Sequence, residues 1–284
     1  MKSIKFDKIG IILRPNSPEL KTSFEKTKNT LNKYNIKVNL EKKSAKMIAL
    51  DGIEFDDLCK DSDFLITIGG DGTLISTARK SLPFDIPILG IHAGRLGFLS
   101  DVNIEAFDDF FKQMLEGKYR IDERAVLEAT LNKGKKEEKR YAFNDVVLTR
   151  SSVPQMIHIE TLVDSKPFNT YYGDGVIVST PTGSTAYNLS AGGPVMFPLT
   201  NVFALTPICP HSLTQRPVVL PGKYPIEMKT SSEKALVIFD GQDTVELGLG
   251  ESIDIKLASK MVKLIHKEDF NYFDILKKKL SWGD

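Results

Sequence analysis

The chain has 284 residues, 41% of them hydrophobic and 26% charged, which is enough for one large domain or two ordinary ones with cores of their own. Its 38 Lys and Arg stand against 37 Asp and Glu, which excludes a long-range basic field able to gather nucleic acid or an anionic membrane; any anion it binds is held by a local site. No apolar run approaches the ~18 to 20 residues of a membrane span, and neither the cysteines (Cys59, Cys209) nor the histidines (His92, His158, His211, His266) are spaced as zinc ligands.

In chain order, residues 9–15 (IGIILRP) read as a buried strand, and 19–35 carry apolar and aromatic positions at helical spacing on a polar segment. Residues 36–41 alternate. A third strand, 63–68 (DFLITI), runs into Gly69, Gly70, Asp71 and Gly72 and then a helix near 73–81, and a fourth, 86–91 (IPILGI), follows Pro83. Strands alternating with helices predict a parallel, doubly wound sheet. Residues 104–119 predict an amphipathic helix ended by Gly117. From about 121 the segments are short, β-branched and punctuated by turns, which predicts an all-β domain. Within it, 132–140 (NKGKKEEKR) reads as a solvated hairpin tip or mobile loop. Residues 268–282 return to helical spacing. The expected organisation is an α/β domain over 1–120, a β-rich domain over 121–265, and a C-terminal helix within 266–284 that packs back on the first domain. The opening MKSIKFDK has no apolar signal segment behind its charges, so a reducing cytoplasm is the expected location.

In an open α/β sheet, ligands sit at the carboxyl ends of the strands, where the Gly69–Gly72 turn falls. Glycines there let a phosphate approach the backbone, and Gly69, Gly70, Gly72 and Thr73 lead into a helix N-terminus that favours anions. An anionic Asp71 would repel that phosphate unless a divalent cation intervenes or the carboxylate accepts a proton from an attacking hydroxyl. It could equally cap the helix, and the tetrapeptide leaves both readings open.

A second carboxylate, Asp174, lies between Gly173 and Gly175 before the strand VIVS; the chain then runs through Thr180, Pro181, Thr182, Gly183, Ser184 and Thr185 into a short helix candidate, TAYNLS. Hydroxyls and a glycine at a helix start suit an oxyanion or ribose, with Tyr187 free to stack on a base, although a well-capped helix explains the block alone. Asn144 and Asp145 stand side by side in an apolar stretch. An amide suits an adenine edge or a carboxamide, and a carboxylate suits a ribose diol. HAGRLGFL (92–99) and DGQ (240–242) are further glycine-bearing strand exits; His92, with no Ser or Cys partner in view, reads as structural or peripheral.

Taken in order, GGDGT, FND, GDGVIVSTPTGSTAYNLSAGGP and DGQ closely resemble the NAD kinases over most of the chain. GGDG alone is shared with phosphofructokinases and diacylglycerol-type lipid kinases; STPTGSTAY is far more specific. The resemblance implies a Rossmann-like, phosphofructokinase-like parallel sheet in an α/β N-terminal domain, and an all-β C-terminal domain of β-sandwich type. It implies transfer of the γ-phosphoryl group of ATP to the 2′-hydroxyl of the adenosine ribose of NAD, with Mg²⁺ accompanying ATP and no direct protein ligand assigned to the metal. Asp71 would be the base and Gly72 would contact substrate. Asn144 and Asp145 would hold the ribose or adenine, with Asp145 a shorter carboxylate where relatives commonly carry Glu. Asp174 would contact the nicotinamide end, and Thr185, Ala186, Tyr187 and Ser190 would line the adenosine pocket; Phe98 and Gln242 are weaker assignments. Tyr172 stands where many relatives carry Arg. Similar proteins form homodimers or homotetramers through the β domain, and some use polyphosphate. The rival readings are a lipid or sugar kinase sharing the GGDG turn, and a non-catalytic dinucleotide-binding regulator.

Overall fold

The computed structural model describes residues 5–134, 136–151, 156–230 and 234–282. The chain divides into two compact units, Met1–Glu123 with Val262–Asp284, and Arg124–Met261.

The first unit contains β1 (Lys8–Leu13), α1 (Lys21–Asn32), β2 (Lys37–Leu40), α2 (Lys42–Met47), α3 (Phe55–Asp61), β3 (Phe64–Gly69), α4 (Asp71–Ser81), β4 (Ile88–His92), β5 (Val102–Asn103), α5 (Phe107–Leu115) and β6 (Tyr119–Arg124). Its sheet runs β2-β1-β3-β4, continues into a late strand, Val262–Lys267, and ends at β6, while β5 pairs with β4; the pairs among β1 to β5 are parallel. Every residue of β3 is buried, as are all of β1 but Lys8 and all of β4 but His92, because helices cover both faces of a parallel sheet. On α5, Phe107, Phe110, Phe111 and Met114 repeat at i, i+3, i+4 and i+7 and are buried in the core that β1, β3 and β4 share. Burying each of these side chains is worth roughly 1.5–3 kcal/mol. Gly117, at φ +79°, ends that segment in the left-handed conformation that glycine adopts freely.

The second unit holds β7 (Leu127–Lys133), β8 (Lys136–Ala142), β9 (Asp145–Arg150), β10 (Ile157–Val163), β11 (Lys166–Gly173), β12 (Gly175–Ser179), α6 (Tyr187–Ser190), β13 (Val202–Ile208), β14 (Val218–Pro221), β15 (Ile226–Thr230), β16 (Ala235–Phe239), β17 (Asp243–Leu247) and β18 (Ser252–Leu257). Two antiparallel sheets, β11-β10-β15-β18-β7-β8 and β14-β13-β12-β9-β16-β17, turn their apolar faces onto one core. β15 and β16 alternate buried and half-buried residues as sheets with one wet face do, whereas β12 is buried throughout. The outer side of β9 and β12 is covered by a small cluster, Val147, Ile177 and Ile208 with Ala191 and Ile238. That cover brings the segment after β12 back onto its own sheet.

The chain returns to the first unit through β19 (Val262–Lys267), parallel to β4, and α7 (Tyr272–Leu280). Of the two expectations for 132–140, the hairpin holds and the mobile loop gives way to paired strands. Residues 136–140 belong to the edge strand β8, paired with β7, and only the tip around Gly134 turns; Lys135 lies outside the described residues. The charges that suggested a loop are those that protect an exposed strand edge.

Candidate active site

In the first unit, β3 delivers the glycine turn at its carboxyl end. Gly70 is extended (φ −132°, ψ −175°) and precedes α4, whose first residue is Asp71. The Asp71 carboxylate accepts the Phe98 N–H at Oδ2 (2.7 Å) and the Leu99 N–H at Oδ1 (3.3 Å). The approach is close because residue 97 is glycine: a Cβ there would fall on the Asp71 carboxylate. A carboxylate offers about four lone-pair sites, more than these two bonds use.

Gly69 is explained within the chain, since its Cβ would press on the Thr73 hydroxyl and on Arg14. Gly70 and Gly72 are not. A Cβ at either would enter open space, and neither has a positive φ. Thr73 is buried with its hydroxyl toward Gly69. His92 at the end of β4 lies beside Gly69 in the register and has Nδ1 3.0 Å from the Gly94 carbonyl oxygen.

In the second unit a different carboxylate does the holding. Asp240 starts a tight turn with Gly241, both left-handed (φ +53° and +63°), between β16 and β17. Its carboxylate accepts the N–H groups of Phe143 (2.9 Å), Asn144 (2.6 Å) and Asp145 (3.1 Å). Gln242 closes the turn by donating its N–H to Phe239. The Asn144 carbonyl accepts from the Thr180 N–H (2.8 Å) and packs so tightly over Gly183 that no Cβ fits there. With its main chain clamped in this way, Asn144 presents a side-chain oxygen that is buried and has no hydrogen-bond partner among the described residues; the Thr182 hydroxyl is in the same condition. Asp145 is almost fully buried. Burial, reinforced by the Asp240 charge, pushes its carboxyl up to about 7.

Asp174 donates its N–H to the Ile208 carbonyl (3.0 Å), and its carboxylate lies 3.4 Å from Arg150 Nε. Tyr187 is exposed, yet partial burial and the charges of Cys209, Asp174 and Asp145 raise its phenol. These groups therefore share one electrostatic neighbourhood. Thr185 and Ala186 are half-buried and Ser190 is exposed on the same segment, a 3₁₀ turn (Thr182–Thr185) followed by α6. Tyr172 stacks on His158 (centroids 4.2 Å apart) and leans on His211 (5.5 Å), forming a small aromatic group at the end of β11.

Residues 9–119 match the family model described as the ATP-NAD kinase N-terminal domain, and residues 143–267 match that of the ATP-NAD kinase C-terminal domain. The chain belongs to the NAD kinase family. The NAD kinase of Sulfurimonas denitrificans is 67% identical over 277 residues, spanning 98% of each chain, and that of Helicobacter hepaticus is 39% identical over 291 residues, spanning 98% of this chain and 96% of the other. Among solved structures, the yeast NADH kinase complexed with NADH superposes with a TM-score of 0.90 at 25% identity, over 98% of this chain and 89% of that one. An NAD kinase from Archaeoglobus fulgidus in complex with ATP has a likeness of fold, with a TM-score of 0.78 at 24% identity over 96% and 98%.

The NAD kinase motifs divide into residues that face outward and residues that hold them. Within TPTGSTAYN, Ser184 and Asn188 are fully buried: the Ser184 hydroxyl donates to Pro181 (2.6 Å) and accepts the Met196 N–H (3.0 Å), while Asn188 bonds Ser184, Pro194 and the Thr206 hydroxyl. Sequence reading named Thr182 only among the hydroxyls of its block and gave no individual role to Asp240, Gly97 or Asn188, which hold the candidate site residues. Asp240 and Asn188 had a signal, a D-G turn and an Asn within the specific block; for Gly97 the contact with Asp71 spans 26 positions and leaves no mark in either segment.

Proposed function

We propose that this chain is an ATP-dependent NAD kinase, transferring the γ-phosphoryl group of ATP to the 2′-hydroxyl of the adenosine ribose of NAD to give NADP and ADP. Beside the family membership, the observation that carries the reading is that Asn144 Oδ1 and Thr182 Oγ1 are both buried with no hydrogen-bond partner among the described residues, and that the next residue after Asn144 is the buried Asp145. Buried polar atoms are almost always hydrogen-bonded, so such a pair calls for a polar ligand. Asn144 would meet the adenine or ribose, and Asp145 the ribose hydroxyls, whose donation favours its ionised form and draws its titration back down. Asp174 would contact the nicotinamide end, Thr185, Ala186, Tyr187 and Ser190 the adenosine, and Phe98 and Gln242 more distal parts of NAD.

In the first unit Asp71 would accept the 2′-hydroxyl proton as the oxygen bonds to the γ-phosphorus and the bond to the β–γ bridging oxygen breaks. Gly70, Gly72 and Thr73 at the start of α4 would receive the phosphates, with the positive end of the helix dipole opposite the developing charge. A loose phosphoryl-transfer transition state needs alignment and neutralisation more than covalent help. Asp71 is the carboxylate of that turn and two amides already engage it, so the chain fits a cation that arrives on the triphosphate as part of the substrate. Mg²⁺ would neutralise phosphate charge there.

At the finer level, we infer a phosphofructokinase-like variant of the Rossmann sheet, a β-sandwich, a cytoplasmic location, and a homodimer or homotetramer assembled through the second unit. The exposed Phe168, Leu199, Leu213 and Val219 of that unit support the assembly. The deciding assay supplies ATP and Mg²⁺ with NAD, diacylglycerol or fructose 6-phosphate in parallel, and polyphosphate as an alternative donor. NADP formation is the expected result. Phosphorylation of the lipid or sugar in preference to NAD, or tight NAD binding without turnover, would overturn the proposal.

A further inference from the structure

The turn that holds Asp71 is fastened from the end of the chain. Lys279, on α7, donates from Nζ to the Leu96 carbonyl (2.8 Å) and sits over the Phe98 ring, 5.5 Å from its centroid. At the other end of the same turn, Asp101 accepts the Lys267 N–H (3.0 Å) and lies 3.1 Å from Nδ1 of His266. The His266 ring is fully buried, stacked on Phe270 (4.1 Å) with Nε2 3.7 Å from Asp122. Burial works to raise the Asp101 carboxyl, but the His266 bond and charge and the Lys267 amide outweigh it, so it is held below the ordinary carboxylate range. The segment 96–101 is therefore tied down on both sides by β19 and α7. Between the ties lie the two consecutive amides that hold the Asp71 carboxylate, preceded by Gly97, whose missing side chain lets the turn close on the carboxylate but also leaves the turn conformationally soft.

We propose that Lys279 is a positioning residue for Asp71. It touches neither Asp71 nor the glycine turn; it keeps Leu96 and Phe98 in place, so that the Phe98 and Leu99 amides fix the direction of the carboxylate. The buried Asp101–His266 tie anchors the far end, and Lys279 is the exposed and releasable one. The inference rests on the reading of Asp71 as the base of NAD phosphorylation. Releasing a soft turn raises its local opening, and a base that samples several directions spends less time aligned with the hydroxyl.

The test uses the full-length protein with Lys279→Ala and Lys279→Arg. A hydrogen bond of ordinary net worth corresponds to a change of about three- to tenfold. Lys279→Ala should therefore lower kcat for NADP formation about three- to tenfold, with the KM values for NAD and ATP within twofold of wild type. Amide exchange at Phe98 and Leu99 should speed up by a similar factor while the melting temperature stays within about two degrees. Lys279→Arg, which can still donate to Leu96 and cover Phe98, should return both quantities to within twofold. Unchanged exchange at 98–99 in the alanine variant, or faster exchange with unchanged kcat, would overturn the proposal. If the wild-type protein makes no NADP, the reading of the reaction fails instead, and exchange at 98–99 still decides whether Lys279 holds the turn.

Discussion

Replacing Asp71 by Asn separates its two jobs. The carboxylate accepts two backbone N–H groups, at 2.7 and 3.3 Å. An amide has one oxygen, which takes the shorter bond to Phe98 and leaves the Leu99 N–H facing an NH₂ group. One unsatisfied donor costs about 1–2 kcal/mol in a half-buried position, against a total stability on the order of 5–15 kcal/mol. The variant therefore stays folded, with a melting point lower by several degrees. The chemical loss is larger: general base catalysis is typically worth ~10²–10⁴-fold, or about 3–5 kcal/mol at ~1.4 kcal/mol per decade. Turnover followed through an NADP-specific dehydrogenase should fall at least ~100-fold, with the KM for NAD nearly unchanged. Turnover within a few-fold of wild type, accompanied by the same drop in melting point, would show that Asp71 only clamps the 97–99 turn.

Three other outcomes follow from the geometry. Gly72→Ala puts its Cβ in open space among the described residues and removes a flexible residue from a helix start, so stability should hold or rise by up to ~1 kcal/mol, while the KM for ATP rises at least several-fold; Gly183→Ala, whose Cβ would strike the Asn144 carbonyl, should instead lower the melting point outright. Thr182→Val deletes a buried hydroxyl that has no partner among the described residues, so calorimetry should find it as stable as wild type while NAD binding weakens several-fold. Asp145 has a folded-state value of about 7, above the ~3.9 of an unfolded chain. The folded protein thus keeps a proton that the unfolded chain has already released. Its contribution to stability is complete below about pH 4 and is lost as pH rises through about 7, on the order of 2 kcal/mol between pH 5 and 8. Denaturant titrations of Asp145→Asn should lack that portion of the slope, and an unaltered pH profile would refute the assignment.

Much of the architecture was legible because burial leaves patterns. β1, β3 and β4 are covered on both faces and so read as unbroken apolar runs, and α5 shows its buried face at i, i+3, i+4 and i+7. α2 buries only Ser44 and Ala45 and α3 only Leu58 and Cys59, too little periodicity to be seen. β8 was hidden by its edge charges. For the candidate site, residue types alone were enough to nominate the glycine turns and the Asn144–Asp145 pair. What could not be read was which groups hold them, because Asp240 reaches Asn144 from 96 positions away and Gly97 meets Asp71 only once β3 and β4 stand side by side.

The two Gly-Asp-Gly sequences look alike on paper and differ in what requires their glycines. At the second, Gly173 would drive a Cβ into the Ile208 and Cys209 carbonyls (both 2.8 Å) and Gly175 into that of Leu148 (2.5 Å), so the crossing of β11 and β12 against β13 and β9 accounts for both. Asp174 is left between two crowded backbones, its direction fixed and its charge partly answered by Arg150. At the first, Gly70 and Gly72 have space around them and ordinary backbone angles, so no demand of the fold explains them. A residue that the folded chain does not need to be glycine is open to something that approaches it in function, and the backbone at a helix start suits an anion of several oxygens. The carboxylate between them would oppose that anion unless it acts on a proton, and the Phe98 and Leu99 amides hold it in one direction. Crowding thus fits the proposed role of the second motif, orienting a binding group, and open space fits the proposed role of the first, receiving phosphate.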